Sequence, residues 1–506
     1  MIAGRVPAAV RVMTHVPRSC RIVVIGGGPA GATIARLLAS SGHAVTTVAR
    51  AIDERRGIAE SLPPSTRKVL AAIGVLELVE TGGAFRNVGN TVWWGGGEGR
   101  IEDFRAAGEA SGLQIWRPDF DRLLVGEAVR SGVTWITGNA SEVEFLDDCA
   151  RTAVVLPDGT TTSVTSQFVV DASGRSAVLG RASRRPIPGR RTSAWIGSWS
   201  HQHATALTGE TRTLVETVDD GWVWSVPVSP TERCVTVMID PDRTRFAREG
   251  ALEQRYLGEL SKAGHIHALL DGASLQRVWG CDASLYETAD LGGPRHLIVG
   301  DAASFIDPLS SFGVKKALTS AWMGAAVVHT CLTDAAVEPA ARELFATRER
   351  EAYASSVRLS ADYAVKAAIH HDTPFWQIRT EVPEALALVA PELTSEIDVV
   401  RAFEDLRTRP DVHLRPAPDV RFEWQPAFRG DRVELERAVT SDTLARPVRF
   451  VESIDLTRLV EMAAHYRQVG DLFTGYCERE RPVPLPSFLR ALSVLIATRV
   501  LESADF

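Results

Sequence analysis

The feature that most constrains this fold is a glycine-rich turn near the front of the chain, within RIVVIGGGPAGATIARLLASSGHAVTTVAR. Residues 22–25 form an apolar run typical of a buried parallel strand, and Gly26, Gly28 and Gly31 follow it in G-x-G-x-x-G spacing. A helical apolar pattern comes next, and AVTTVAR returns as a second strand. This order presents backbone N–H groups and a helix N-terminus to a pyrophosphate. The sequence therefore predicts a dinucleotide-binding βαβ unit.

One expected part of such a unit is missing from its second strand. An acidic residue usually ends that strand and holds the adenosine ribose, but Ala49 stands there, beside Arg50. Asp53 or Glu54 is the alternative partner for the ribose.

Composition excludes several classes of protein. A net charge of −7 argues against a nucleic-acid binder that neutralises phosphates. The 6 cysteines contain no CxxC pair, which favours a reduced, cytoplasmic chain without a disulfide framework. We find no apolar run long enough to span a membrane and no metal-ligand spacing. The first twenty residues lack the apolar core of a secretory signal and are predicted to be a disordered extension.

A second strand–turn–helix pattern lies near residue 300, in LIVGDAASFIDPLSSFGVKKALTSAWMGAAVVHTCL. A carboxylate such as that of Asp301 can accept hydrogen bonds from the hydroxyls of a flavin's ribityl chain. The N-terminus of a helix beginning around Gly313 would stabilise negative charge on a reduced flavin ring. Simple packing of a strand and a helix explains the apolar residues of this helix, but not the polar loop before it.

The stretch GWVWSVPVSP predicts a strand with two tryptophans on one face. Because side chains alternate along a strand, Trp222, Trp224 and Val226 would point together, and Val223 and Ser225 would point away. Core packing explains this pattern as well as a binding surface does.

Together, the motifs GGGPAG, ESLPP, RPDFD, VVDASGR, WVWSVP and GDAASFIDPLSSFG resemble the flavin-dependent halogenase and monooxygenase family, which shares the p-hydroxybenzoate hydroxylase type of fold. The resemblance implies an α/β architecture: a Rossmann-type (GR2-like) FAD-binding domain with an inserted substrate-binding β-sheet domain. It implies FAD as cofactor, reduced by a separate flavin reductase or by NAD(P)H. The residues that it assigns to FAD are Gly26, Gly28, Pro29, Ala30, Gly31, Arg50, Glu60, Ser61, Arg117, Asp171, Gly300, Asp301, Pro308, Gly313 and Val314.

The family's two chemistries differ in one side chain. Halogenases hold hypohalous acid with a lysine next to the substrate, at a place where this chain has Arg86 and Asn87 in GGAFRNVGN. The guanidinium of arginine does not readily give up a proton and is a poor nucleophile. The resemblance then implies a monooxygenase that hydroxylates an electron-rich indole or phenol through a flavin C4a-hydroperoxide. A halogenase with a relocated lysine and a flavin-binding scaffold without catalysis are the alternatives.

Some side chains are assigned to the reaction itself. Tryptophans are the predicted walls of the substrate site, with core packing as the alternative for each: Trp93, Trp94, Trp222, Trp224 and Trp376. The predicted catalytic group consists of flavin-loop residues and one possible base: Pro308, Ser311, Gly313, Lys315 and His370. His370 and His371 are adjacent, so at most one of them faces the site.

The sequence also predicts a division of the chain. The flavoprotein region is expected at 21–400, with its substrate sheet at about 85–110 and 185–285; a linker with short strands is expected at 401–440. Residues 441–506 show three amphipathic patterns and resemble small winged-helix modules, including those that hold peptide precursors. The expected partners are therefore an aromatic small molecule, or a peptide or carrier-bound substrate, together with a flavin reductase, and neither nucleic acid nor membrane.

Overall fold

The computed structural model describes residues 16–95, 98–201, 211–242, 251–389, 394–408, 411 and 413–503. The chain forms two compact units. The first contains the chain up to Glu338, with Phe345–Ala387 and Gly430–Arg432; the second contains Pro339–Leu344, Leu388–Arg429 and the chain from Val433 onward.

The strands carry the architecture of both units. In chain order they are β1 Ser19–Ile25, β2 Val45–Ala49, β3 Ala59–Leu62, β4 Phe85–Asn87, β5 Gly89–Trp93, β6 Arg100–Asp103, β7 Gly112–Trp116, β8 Thr134–Thr137, β9 Asn139–Phe145, β10 Ala150–Val155, β11 Thr161–Asp171, β12 Arg184–Pro186, β13 Ser193–His201, β14 Thr213–Val218, β15 Gly221–Ser229, β16 Glu232–Ile239, β17 Ala273–Asp282, β18 Tyr286–Thr288, β19 Gly292–Gly293, β20 His296–Ile298, β21 Ser304–Phe305, β22 Leu414–Pro416, β23 Arg421–Arg429, β24 Arg432–Thr440, β25 Phe450–Val451, β26 Ile454–Asp455 and β27 Leu501–Ser503.

Helices cover these sheets and build the tail. In chain order they are α1 Pro29–Ser40, α2 Thr66–Ala72, α3 Leu76–Thr81, α4 Arg117–Arg130, α5 Leu252–Leu260, α6 Gly264–Leu269, α7 Gly313–Thr333, α8 Glu338–Ala368, α9 Pro374–Gln377, α10 Glu384–Ala387, α11 Glu396–Thr408, α12 Leu456–Ala463, α13 Val469–Arg479 and α14 Leu485–Ala497.

The first unit is built on a mainly parallel sheet. Its strands follow the order β19-β20-β11-β1-β2-β8, with β9 and β10 added as an antiparallel extension. Strand β1 is apolar and buried along its second half because parallel sheets are covered on both faces. Helix α1 crosses from β1 to β2 and stops before Gly42, whose φ of +85° suits the left-handed end of a helix. This confirms the predicted Rossmann-type domain.

A mixed sheet forms the other half of the first unit, in the order β17-β13-β16-β15-β14-β5-β6. It uses strands from both predicted segments of the substrate sheet. On β15, Trp222, Trp224 and Val226 belong to one apolar cluster and Val223 to the cluster on the opposite face. The predicted alternation of this strand is confirmed.

Two boundaries differ from the sequence prediction. Strand β1 begins at Ser19, because Ser19 and Cys20 pair with β11, so the ordered chain starts before residue 21; residues 1–15 lie outside the described part. Helix α11 occupies the start of the expected linker, because Val399, Ala402 and Leu406 are buried at helical spacing. The linker prediction was wrong for residues 401–408.

The second unit has its own apolar core. Leu459, Phe488 and Leu492 from α12 and α14 are fully buried together, and α11 packs on α14. Strands β23 and β24 form a hairpin, and short strands β25 and β26 precede α12. The likeness to a winged-helix module stays a prediction.

Among the described residues, no helix is both long and apolar enough to cross a membrane.

Candidate active site

The first unit contains a cavity of about 650 Å³ at the carboxyl ends of β1 and β2. Ligands of parallel α/β sheets bind at such strand ends. Its wall includes residues from the glycine turn, the end of β2, the start of α4 and the turn after β20. Of the residues predicted to contact FAD, those that line this cavity are Gly26, Gly28, Pro29, Ala30, Arg50, Arg117 and Asp301.

The glycine turn fits a pyrophosphate. Gly26 has a φ of +109°, and a Cβ there would lie 2.2 Å from the carbonyl oxygen of Ala172. A Cβ on Gly31 would lie 2.0 Å from the carbonyl oxygen of Gly26, so both positions require glycine. A Cβ on Gly28 would meet no protein atom within 4 Å. Helix α1 has neither a side-chain cap nor an acidic residue in its first turn, which leaves its N–H groups for an anion.

The loop after β2 brings one of the two acidic residues considered for the ribose to the cavity. Asp53 lines the cavity, and its Oδ1 accepts the N–H of Arg55. Glu54 pairs with Arg122 instead. Arg50 lines the cavity and donates to Ser176 Oγ at 3.3 Å.

A charged cluster closes the cavity at the start of α4. Arg117 Nη1 lies 3.2 Å from Glu60 Oε1, and Arg117 Nε lies 3.1 Å from Asp121 Oδ1. Burial raises the pKa values of Glu60, Asp121 and Asp301, and Arg117 partly offsets the rise. Burial alone would lower the pKa of Arg117, but the carboxylates of Asp121 and Glu60 raise it above its ordinary value.

Two residues predicted to contact FAD have other partners. The carboxylate of Asp171 is fully buried and accepts the N–H groups of Ser173 and Leu179, so it holds the turn after β11. The hydroxyl of Ser61 is buried and accepts bonds from Asn87 and Thr213. Neither residue lines the cavity. The Asp171 carboxylate bonds to nearby backbone N–H groups, and the Ser61 hydroxyl bonds to side chains of neighbouring strands.

The loop before α7, residues 305–312 (the flavin loop), has the geometry expected at a flavin ring. Asp307 caps a short turn at Pro308–Ser310 by accepting the N–H of Leu309, and Ser311 has a φ of +54°. Helix α7 then begins at Gly313 with no side-chain cap and no acidic residue in its first turn. Its N-terminus is therefore positive and suited to a reduced flavin ring. Val314, at the second position of α7, is buried.

The two lysines after Gly313 point to different partners. Lys315 Nζ donates to Ser65 Oγ at 3.0 Å and lies 4.8 Å from the centre of the Phe312 ring. Lys316 Nζ donates to the carbonyl oxygens of Gly300 and Ser304.

Four of the predicted tryptophan walls share one apolar cluster. Trp94, Trp222, Trp224 and Trp376 pack together, and Phe305 and Leu309 of the flavin loop pack against them. The indole N–H of Trp94 donates to Tyr363 O and that of Trp376 to Val218 O. The indole nitrogen of Trp224 is buried without a hydrogen-bond partner.

Two predicted site residues lie elsewhere. Trp93 stacks on His265 and packs with the cluster on the opposite face of the sheet, because consecutive residues at the end of β5 turn to opposite sides. His370 is exposed beside Gly95, since α8 ends at Ala368. His371 is the histidine with partners: it lies 3.0 Å from both Thr217 Oγ1 and Asp219 Oδ1.

Where the sequence resemblance puts the halogenase lysine, β4 has Arg86 and Asn87. The side chain of Arg86 is exposed. Asn87 is fully buried, with its amide nitrogen bonded to Ser61 and Thr213 and its oxygen to the N–H of Gly89.

Sequence reasoning missed two carboxylates of the site. Asp121 stands four residues after Arg117, an ion-pair spacing on a helix that RPDFD shows directly. Asp307 stood inside a quoted motif but had no assigned role. It also lines a second cavity, of about 20 Å³, with Arg190, Ser360 and Arg379. In the described part of the chain, no His, Cys, Asp and Glu cluster is suited to a metal ion.

A protein-family model described as an FAD binding domain matches residues 19–356. The chain belongs to the FAD-binding domain family. Its cofactor is therefore FAD.

The relatives and solved structures similar to this FAD-binding chain include proteins named as flavin-dependent halogenases and one named as a dihydroxylase. A tryptophan 2-halogenase of Chondromyces crocatus is 32% identical over 63% of this chain and 62% of its own length. The matched part thus spans about three fifths of that relative. Other curated relatives also carry the name flavin-dependent halogenase.

Two solved structures share the fold over most of this FAD-binding chain. The flavin-dependent halogenase CmlS has a TM-score of 0.77 at 23% identity and covers 97% of both chains. The peptidyl tryptophan dihydroxylase QhpG has a TM-score of 0.69 at 22% identity and covers 95% of this chain and 99% of its own. Both likenesses include the C-terminal helical region.

Proposed function

We propose that this protein is an FAD-dependent monooxygenase that hydroxylates an electron-rich aromatic group, an indole or a phenol, on a peptide, protein or carrier-bound substrate. The observation that carries the proposal is β4, where Arg86 is exposed and Asn87 is saturated with hydrogen bonds. In the family that this sequence resembles, halogenation needs an amine at that place. The dihydroxylase QhpG, named for a peptidyl tryptophan, supports a tethered indole as the substrate class.

Residues of the cavity would hold FAD by groups of matching chemistry. The turn at Gly26–Gly31 and the N-terminus of α1 suit the pyrophosphate, and Asp53 suits the adenosine ribose. Asp301 and Arg117 suit the ribityl chain, and the N-terminus of α7 suits the ring. Reduced FAD, when bound, would give two electrons to dioxygen, of which one oxygen atom is inserted into the aromatic ring and the other leaves as water.

The protein's own contribution is to orient a ring and exclude water. Trp94, Trp222, Trp224 and Trp376 form a buried apolar wall next to the flavin-loop residue Leu309. Because the rings of this cluster are tilted or edge-on to one another, it would orient an indole or phenol by apolar contact rather than by one flat stack, and its dryness would protect a reactive oxygen species from water. Of the two adjacent histidines, His371 is the one whose ring the fold orients, because Asp219 and Thr217 bond to its two nitrogens.

Halogenation is the second candidate because the curated relatives are named halogenases. Of the five lysines, Lys316 is bound to carbonyls and Lys262 to Glu259, whereas Lys315 lies beside the flavin loop. Burial, and then the charge of Lys68, lowers the pKa of Lys315, which favours a nucleophilic amine. A relocated halogenase lysine would therefore be Lys315.

The test supplies the protein with FAD, a flavin reductase, NADH and oxygen, with L-tryptophan, indole, phenol and a tryptophan-containing peptide as probes. Each reaction is run without halide, with chloride and with bromide. We expect a product with added oxygen at the same rate in all three, and the same product from Lys315→Met. A halogenated product that is lost in Lys315→Met would establish the second candidate. If the chain binds FAD but no probe gains oxygen or halogen, the flavin-binding scaffold without catalysis is the remaining function.

A further inference from the structure

Lys316 is a buried cation that contacts the turn containing Asp301. Its side chain is 7% exposed. Its Nζ donates to Gly300 O at 2.6 Å and to Ser304 O at 2.8 Å, so it spans the turn on both sides of Asp301. Gly300 has a φ of +62°, and a Cβ there would lie 2.7 Å from the Cβ of Ala30 on α1.

A second buried charge accompanies this lysine. Glu349 of α8 is 3% exposed at its side chain, and its Oε2 lies 3.3 Å from Lys316 Nζ. Burying such a pair removes two charges from water, and replacing it by apolar residues is often neutral or stabilising. Stability alone therefore does not explain why a lysine occupies this position, and the function of its positive charge has to be sought in its surroundings.

We infer that Lys316 is a positioning residue for FAD: it fixes the Gly300–Ser304 turn and supplies the positive charge that keeps the Asp301 carboxylate an acceptor for the cofactor. This inference rests on the proposed contact between Asp301 and FAD. It does not depend on which reaction the bound flavin supports.

Several charged groups face Asp301 from different elements. Lys316 on α7, Arg117 on α4 and Arg175 after β11 lower its pKa, in that order, against the rise caused by burial. Glu60 on β3 and the phenol of Tyr286 on β18 also lie within electrostatic reach. Tyr286 donates its hydroxyl to Asp301 O, which leaves the carboxylate to other donors. Lys316 lowers the pKa of Asp301 more than Arg117 or Arg175 does. Removing Lys316 therefore raises this pKa more than removing either arginine would.

The consequence is a pH dependence of FAD affinity. Without the lysine charge the pKa of Asp301 rises further, so a larger share of the carboxyl is protonated at the lower of two pH values. A protonated carboxyl is a poorer acceptor than a carboxylate, and loss of a charge-assisted hydrogen bond weakens binding by roughly tenfold or more.

The experiment measures the FAD dissociation constant of the full chain by fluorescence quenching at about pH 6 and about pH 8. The variant Lys316→Gln keeps a donor for the two carbonyls but removes the charge; Lys316→Arg keeps the charge. Glu349→Gln breaks the same ion pair but leaves the lysine cation. We expect the dissociation constant at the lower pH, divided by that at the higher pH, to rise roughly tenfold in Lys316→Gln. In Lys316→Arg and Glu349→Gln this ratio should stay near the wild-type value.

The outcomes separate the possible roles. A wild-type ratio in Lys316→Gln, or the same change in Glu349→Gln, would show a merely structural ion pair and overturn the inference. Wild-type FAD affinity in Asp301→Asn would remove the contact on which it rests, while the proposed reaction would stand. If Lys316→Gln does not fold, the double variant Lys316→Gln/Glu349→Gln is compared with Glu349→Gln, since neither leaves a buried carboxylate facing a missing cation.

Discussion

Glycines 26, 28 and 31 share one motif but experience different surroundings. A Cβ on Gly31 would collide with the Gly26 carbonyl, whereas a Cβ on Gly28 would meet no protein atom within 4 Å. The motif therefore contains two positions that the fold needs and one that a bound pyrophosphate would need.

We predict opposite results for alanine at two of these glycines. Gly31→Ala forces a Cβ against the Gly26 carbonyl, so it lowers the melting temperature and weakens FAD binding together. Gly28→Ala meets no protein atom, so the FAD-free protein keeps its melting temperature while FAD affinity falls at least roughly tenfold. Thermal unfolding and FAD titration of both variants test this. Equal thermal losses in the two would contradict the assignment.

Arg117 illustrates how one cation determines the protonation of its neighbours. Burial raises the pKa values of Glu60 and Asp121, and Arg117 opposes this rise. Carboxyl groups with raised pKa values in the folded state lose their stabilising contribution as the pH rises through those values.

We therefore predict that Arg117→Met destabilises the fold by about 3 kcal/mol near neutral pH and by less near pH 4, because the carboxyls left unpaired are then protonated. Urea unfolding at several pH values measures the difference. The control is Arg122→Met, whose partners Glu54 and Asp119 are largely exposed, and which should lose less than about 1 kcal/mol at every pH. A loss for Arg117→Met that is independent of pH would contradict this explanation.

At the scale of elements, β15 and the flavin loop create the aromatic wall. Trp222 and Trp224 share the face that meets Phe305 and Leu309. Trp376 is 1% exposed, and its indole N–H donates to Val218 O at 2.9 Å. The indole nitrogen of Trp224 is also buried but has no hydrogen-bond partner. A buried donor without an acceptor costs free energy unless a ligand uses it.

We predict that Trp376→Phe lowers the free energy of unfolding by roughly 1–2 kcal/mol more than Trp224→Phe does, since both lose the same buried volume but only in Trp376→Phe does the Val218 carbonyl lose its donor. Denaturant unfolding of the two matched variants, with FAD bound, measures this. A larger loss in Trp224→Phe than in Trp376→Phe would mean that the Trp224 N–H has a partner within the fold.

Local patterns explain which elements the sequence predicted well. The glycine turn, the alternation of β15 and the start of α7 depend on residues close in sequence, so spacing alone located them. The face of Trp93 and the exposure of His370 depend on where β5 and α8 end, which local spacing does not fix. The buried side chains of α11 were missed because they pack on α14, far along the chain.

At the scale of the whole molecule, the described FAD cavity lies entirely within the first unit, and the second unit has a separate apolar core. Motif order along the chain predicted the first unit because the glycine turn, the start of α4 and the turn after β20 line one cavity. The roles of Asp171 and Ser61 could not be predicted in this way, because their carboxylate and hydroxyl are used by neighbouring N–H groups and strands that only the folded chain brings together.

We propose that this protein inserts oxygen rather than halogen into an aromatic ring. The most direct measurement is the product mass when the reduced, FAD-loaded protein acts on the tryptophan-containing peptide in bromide under ordinary or isotopically heavy dioxygen. We predict a mass gain of oxygen that increases with the heavy isotope and is unaffected by bromide. A product that carries bromine and is indifferent to the oxygen isotope would contradict the claim.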